Sequence, residues 1–254
     1  MKKQKTILIT GASSGIGKAV AELYAAAEVT LFLTGRNGQR LEDVASLCRQ
    51  KGATVQTAAL NVTDRTAIEG KILSWDNQNP IDIVIANAGV SGGTSMDAKQ
   101  TEAQLREIIA TNIDGTFNTV NPLIPRMQAR KSGHIVLMSS MAGFRGMPNS
   151  PAYSTSKVAV RAYGDAIRPL LKPDGITVTT VFPGFVRTPL TDVNTFPMPF
   201  LMNVDKAADI IKRGLDAKKA FIAFPWQMHI SCWMLSVMPR CLGDWLLSKA
   251  PKKG

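Results

Sequence analysis

Tyr153 and Lys157 stand four residues apart in a segment with helical spacing, so their side chains share one face. A phenol has a pKa near 10 and is a poor base at neutral pH. A neighbouring ammonium, or a bound nicotinamide cation, favours the phenolate. A tyrosine tuned in this way can give a proton to a carbonyl oxygen or take one from an alcohol. A second group of residues, Thr10-Gly11-Ala12-Ser13-Ser14-Gly15-Ile16-Gly17, has glycines spaced GxxxGxG. It lies between an apolar strand and an amphipathic helix. There, glycine permits a tight turn and close approach of backbone to a diphosphate seated on the helix N-terminus. Either group alone has an ordinary structural reading, as an exposed helix pair or a strand-to-helix turn.

Both groups need a frame to bring them together. Apolar runs predict strands over residues 6–10, 29–34, 53–60, 81–86, 133–139 and 176–182. Helical spacing predicts helices over 16–24, 39–51, 64–75, 101–128 and 153–171, the fourth disturbed by Pro122 and Pro125. The strands are continuous apolar runs rather than alternating ones, as suits a parallel sheet covered on both faces. Repeated βα units give the α/β class: a doubly wound, mostly parallel sheet in a three-layer αβα sandwich, with 1–254 as a single domain. Such sheets bind ligands beyond the carboxyl ends of their strands.

Further residues stand at those ends. Asn87-Ala88-Gly89 follows the fourth strand, and Asn112 lies in the next helix. Ser140 follows the fifth strand, 13 residues before Tyr153, and Pro183-Gly184 with Thr188 follows the sixth. With TGASSGIG and YxxxK, these motifs resemble the short-chain dehydrogenase/reductase family in order and spacing, from residue 10 to residue 188 of 254. The resemblance implies a Rossmann fold and reversible hydride transfer between a nicotinamide and a carbonyl or secondary alcohol. It implies that Tyr153 is the general acid/base and contacts the substrate, and that Ser140 holds the substrate oxygen. Lys157 would tune the phenol and hold the nicotinamide ribose, while Asn112 anchors a water linking to the lysine. Cofactor contacts are implied at Gly11, Ser13, Ser14, Gly15, Ile16, Gly17, Arg36, Asn61, Val62, Asn87, Ala88, Gly89, Tyr153, Lys157, Pro183, Gly184, Val186 and Thr188. Asn61 stands where the family usually carries Asp beside the adenine.

An acid at the end of the second strand would hold the adenosine ribose hydroxyls and favour NAD(H). Gly35 occupies that place here, followed by Arg36. A guanidinium fork matches the oxygens of a 2′-phosphate, with Ser13 able to add a hydroxyl. NADP(H) is therefore expected over NAD(H).

Composition narrows the alternatives. The chain is 45% hydrophobic and 19% charged, which fits a globular protein rather than a disordered one. The three cysteines are widely spaced and the two histidines lack ligand spacing, so no metal site is expected. The net charge of +11 is scattered, and no nucleic-acid footprint is read from it. The lysine-rich start precedes too short an apolar stretch for a secretory signal, and a cytoplasmic location is expected. After Thr188 the pattern loosens. Residues 189–220 are expected to form a substrate lid, with Met141, Phe144, Met147 and Phe185 as candidate apolar lining. Residues 221–254 form an apolar extension with three of the four tryptophans. A homodimer or homotetramer contact, or the substrate, is the favoured partner for that extension. A peripheral membrane contact is the alternative, since no sustained basic amphipathic helix is evident. Rival functions are a 3-oxoacyl-thioester reductase and a non-catalytic NADP(H)-sensing protein. The second would be expected to lack Tyr153, Lys157 or Ser140.

Overall fold

Ile7, Leu8 and Ile9 are all fully buried, and so are Leu31, Phe32 and Leu33. Side chains alternate across a strand, so both faces of these strands are covered. A computed structural model describes residues 5–92, 101–148, 150–192, 194 and 196–248 and shows how. The strands are β1 (Lys5–Thr10), β2 (Val29–Gly35), β3 (Thr54–Ala59), β4 (Ile83–Ala86), β5 (Gly133–Met138), β6 (Ile176–Pro183) and β7 (Phe221–Phe224). They form one parallel sheet in the order β3-β2-β1-β4-β5-β6-β7. The helices are α1 (Gly15–Tyr24), α2 (Gly38–Gln50), α3 (Arg65–Gln78), α4 (Glu102–Ile109), α5 (Gly115–Val120), α6 (Ile124–Ala129), α7 (Pro151–Leu171), α8 (Pro189–Asp192), α9 (Val204–Asp216), α10 (Trp226–Val237) and α11 (Arg240–Ser248).

One core lies between the sheet and α1, α2 and α9, around Val20, Leu41, Val44 and Ile211. The other lies under α3, α5, α6 and α7, around Ile68, Trp75, Met127 and Val160. The expected doubly wound, three-layer architecture is therefore present. Strand order reverses between β1 and β4. The loops after these two strands are neighbours, although 77 residues separate Thr10 from Asn87.

Three segments differ from the sequence expectation. The stretch 101–128 is not one helix. A π-helical turn over Ala110–Asp114 separates α4 from α5, and a 3-10 turn at Asn121–Leu123 leads into α6. Pro122 and Pro125 each occupy a first-turn position, where the missing N–H costs least. Within 189–220, residues 204–216 form α9, which buries Ala207, Ala208, Ile211 and Leu215 in the first core. That helix is part of the framework rather than a cover. Residues 221–224 are the edge strand β7 and pair with β6. Val193 and Thr195 of the expected lid, and the tail 249–254, lie outside the described residues.

His134 on β5 gives the fold a pH dependence. Its Nε2 lies 2.7 Å from Thr179 Oγ1, whose own hydrogen goes to Lys219 O at 2.6 Å. Burial pushes its pKa from 6.5 down to about 4. The folded state keeps this ring neutral while the unfolded chain protonates below pH 6.5, so stability is present above 6.5 and falls as pH drops toward 4. One pKa unit is about 1.4 kcal/mol, so His134 accounts for a loss of about 3 kcal/mol across that window. Denaturant titrations at pH 7 and pH 4.5 should show a smaller acid loss in His134→Gln than in the parent. Equal losses would rule out His134 as the cause.

Candidate active site

The loop after β1 is shaped by backbone conformations that only glycine takes easily. Gly11 and Gly15 have φ of +66° and +56°. A Cβ on Gly11 would lie 2.8 Å from Ala88 Cα, so the loops after β1 and β4 meet backbone to backbone. Asn87 locks them. Its Nδ2 donates to Thr10 O at 3.0 Å and Gly11 O at 3.2 Å, and its amide donates to Thr10 Oγ1 at 3.1 Å. The side chain of Ser14 makes no capping hydrogen bond to α1. The leading N–H groups of α1 are left for an anion.

A cleft of about 290 Å³ opens over this loop. Of the residues expected to hold cofactor, Gly11, Ser13, Ser14, Gly15, Ile16, Arg36, Asn61, Val62, Asn87, Ala88, Gly89 and Thr188 line it. Gly17 lies beneath the loop, where a Cβ would lie 2.5 Å from Asn87 Nδ2 and against Gly11 O. Pro183, Gly184, Val186, Tyr153 and Lys157 do not line the cleft. Gly184 N donates to Phe224 O, and Val186 bridges Met202. Sequence reasoning overlooked Asn37, Arg40, Leu60, Val90, Thr111 and Leu190, which also line it. Arg40 had a signal, four residues after Arg36 at a helix start. Asn37 caps α2 by accepting from Arg40 N at 2.9 Å, which fixes that first turn.

The cleft fits a dinucleotide. It offers a glycine cradle, an uncapped helix end and, at the β2 end, Arg36 and Arg40. Thr34 Oγ1, on a residue that lines it, is buried with no hydrogen-bond partner among the described residues. A Cβ on Gly35 would come within 3.0 Å of Ser13 Oγ, the movable end of a short side chain. Arg36 is exposed and reaches Glu107 Oε1 at 3.5 Å. Such a solvated pair is weak and can exchange partners. Among the described residues no group of His, Cys, Asp and Glu is arranged to hold a metal.

The Tyr153 cluster lies beyond Gly89. Pro151 opens α7, two residues before Tyr153 and six before Lys157. Ser140 Oγ accepts from Ala142 N at 3.2 Å and lies 3.5 Å from Pro183 O, and its hydroxyl stands near the Tyr153 phenol. Ser139 points away, donating to Lys157 O at 2.8 Å. Lys157 Nζ sits 5.5 Å from the Tyr153 ring centroid and donates to Met138 O at 2.9 Å. Burial pushes Lys157 down to about 8. Burial also pushes the Tyr153 phenol above its ordinary value, with the nearby Ser140 hydroxyl pulling the other way. The chain alone therefore does not lower this phenol as expected. Its lysine is turned toward a backbone carbonyl, and desolvation is the larger effect.

Asn112 sits in the π-helical turn, a feature that recurs at functional sites. Its Oδ1 accepts from Val90 N at 2.8 Å, while Nδ2 donates to Val90 O at 3.0 Å and Ser156 Oγ at 2.9 Å. Ser156 in turn donates to Tyr153 O at 2.7 Å. Asn112 thus clasps the loop after Gly89 and ties it to α7. Ser156, which sequence reasoning missed, is the link. Met141 and Phe144 are buried with Phe182 and Cys232, so they are packing residues rather than lining. Met147 and Phe185 stay partly exposed.

The model of the family described as short chain dehydrogenase matches residues 5–196. The chain belongs to the short-chain dehydrogenase family. An uncharacterized oxidoreductase of Myxococcus xanthus is 38% identical over 241 residues, covering 94% of this chain and 95% of its own. Among solved structures, a short-chain dehydrogenase from Sphingobium yanoikuyae in complex with NADPH superposes with a TM-score of 0.81. It is 26% identical and covers 97% of this chain and 96% of its own. A bulky-bulky ketone specific alcohol dehydrogenase from Comamonas testosteroni gives 0.78 at 25% identity, covering 94% and 96%. This short-chain dehydrogenase is an oxidoreductase with a Rossmann-type fold, and no helix among its described residues is long and apolar enough to cross a membrane.

Proposed function

We propose that this enzyme uses NADP(H) to interconvert a carbonyl compound and the corresponding alcohol, with Tyr153 as the proton carrier. The observation that carries the reading is Tyr153 with Lys157 Nζ 5.5 Å from its ring and the Ser140 hydroxyl nearby, beside a glycine-cradled cleft. When bound, the nicotinamide supplies or accepts the hydride. Ser140 orients the substrate oxygen toward the phenol and stabilises charge developing on it. A part-buried, neutral Tyr153 donates its proton to that oxygen as the alcohol forms. Lys157 holds the nicotinamide ribose and keeps a positive charge near the phenol. Asn112 and Ser156 keep Tyr153 and Gly89 in register. NADPH oxidation across a panel of ketones, aldehydes and 3-oxoacyl thioesters tests this. Turnover of at least one carbonyl class is expected, and none anywhere would defeat the proposal.

The preference for NADP(H) rests on Arg36 and Arg40 at the adenosine end, and on Gly35 where an acid would stand. A charge-assisted bond to the 2′-phosphate is worth about 1.5–3 kcal/mol, or roughly ten- to a hundredfold in affinity. Arg36→Asp should shift the ratio of kcat/KM for NADPH over NADH downward by that factor. An unchanged ratio would remove Arg36 from the assignment.

A further inference from the structure

Helices α10 and α11 turn their apolar residues outward. On α10, Trp226, Ile230, Trp233, Met234 and Val237 fall on one face, with Trp226 66% and Val237 63% exposed. On α11, Leu242, Trp245 and Leu246 do the same. The inner sides are anchored. Cys232 is buried beside Phe144 and Phe182, and Met228 packs against that cluster. Arg145 pins both helices, donating to Leu235 O at 2.9 Å, Arg240 O at 3.3 Å and Asp244 Oδ1 at 2.8 Å. The outward apolar face therefore belongs to a fixed platform. A contiguous apolar face of this kind marks an interaction surface.

The charge around it indicates what covers it. Residues 225–254 carry one acid, Asp244, already paired with Arg145, against Arg240, Lys249, Lys252 and Lys253. Residues 1–4, 93–100 and 249–254 hold no large apolar side chain except Met1 and Met96. A second copy meeting the same face about a two-fold axis would bring this basic excess against itself. An anionic lipid surface meets both features, with tryptophans at the headgroup level and a basic sequence excess that anionic phosphates attract. We propose that the enzyme docks peripherally on an anionic membrane surface through the outer face of α10 and α11, lying on the bilayer without crossing it. This inference does not depend on the reaction assigned above.

Tryptophan emission reports on that face directly. Three of the four tryptophans lie on it, and the fourth, Trp75, is fully buried. The full-length chain should co-sediment with phosphatidylglycerol-containing vesicles and not with phosphatidylcholine alone. Its emission should shift to the blue, and high salt should weaken binding. Trp233→Ser/Val237→Ser should bind at least roughly tenfold more weakly with an unchanged melting temperature. Trp226→Ser, at the most exposed position, replaces it if the double variant melts lower. Absence of binding to anionic vesicles overturns the proposal, as does binding that these variants leave intact. So does a parent dimer, seen by light scattering, that the variants split while no vesicle binding occurs; that result assigns the face to a second copy.

Discussion

Tyr153→Phe is expected to lower kcat for carbonyl reduction by about a hundred- to ten-thousandfold, the range for losing a positioned acid–base group. The NADPH dissociation constant is expected to stay within about twofold, since losing one hydroxyl leaves the ring packing in place. The argument rests on what the substitution keeps. Phe preserves the ring that faces Lys157 Nζ and leaves the Tyr153 carbonyl to accept from Ser156. Only the hydroxyl is lost, and with it the group that faces Ser140. The two directions should also respond differently to pH. Burial raises the phenol above its ordinary value, so it stays protonated at neutral pH and is ready to donate. Reduction should be flat through neutrality. Alcohol oxidation needs the phenolate and should rise with pH. Rates in both directions between pH 6 and pH 9 test this, and wild-type turnover by the Phe variant would remove Tyr153 from the reaction.

Much of this arrangement is legible in the residues themselves, for identifiable reasons. The glycine loop is a local signal, because positive φ at Gly11 and Gly15 is imposed within a few residues. The apolar runs of β1, β2 and β5 are equally local. The environment of Tyr153 is not. Its desolvation comes from elements distant in sequence, so a reading from the YxxxK spacing gives the direction of the pKa change that the lysine alone would cause. Strand β7 escaped notice because four residues running into a tryptophan-rich segment look like part of it. Only pairing with β6 makes them a strand. Helix α9 had a readable pattern in Ala207, Ala208, Ile211 and Leu215, close to the 3.6-residue period. Its position between two loops obscured it. Ser156 illustrates a further limit. It acts through Asn112 and Tyr153, whose orientation is set by tertiary structure, and it carries no signature of its own.

Gly17→Ala is expected to weaken NADPH binding by roughly ten- to a hundredfold, although position 17 does not line the cleft. Gly17 has an ordinary helical place in α1, so backbone strain is not the cause. The added methyl would lie 2.5 Å from Asn87 Nδ2 and press on Gly11 O. These are the donor and an acceptor of the bond that locks the loops after β1 and β4. Forcing them apart costs about 1–3 kcal/mol of overpacking and moves the cradle on which a diphosphate would sit. Gly70→Ala is the control. Gly70 lies in α3 with nothing within 4 Å of an added Cβ, so that variant gains helix propensity and is expected to be more stable by up to about 1 kcal/mol with unchanged binding. Titration of both variants with NADPH, followed by nucleotide fluorescence, separates the two effects. If Gly17→Ala binds as the parent does, the contact beneath the loop is not what shapes the cleft. If both variants weaken binding alike, the effect belongs to helix substitution in general rather than to the meeting of Gly17, Gly11 and Asn87.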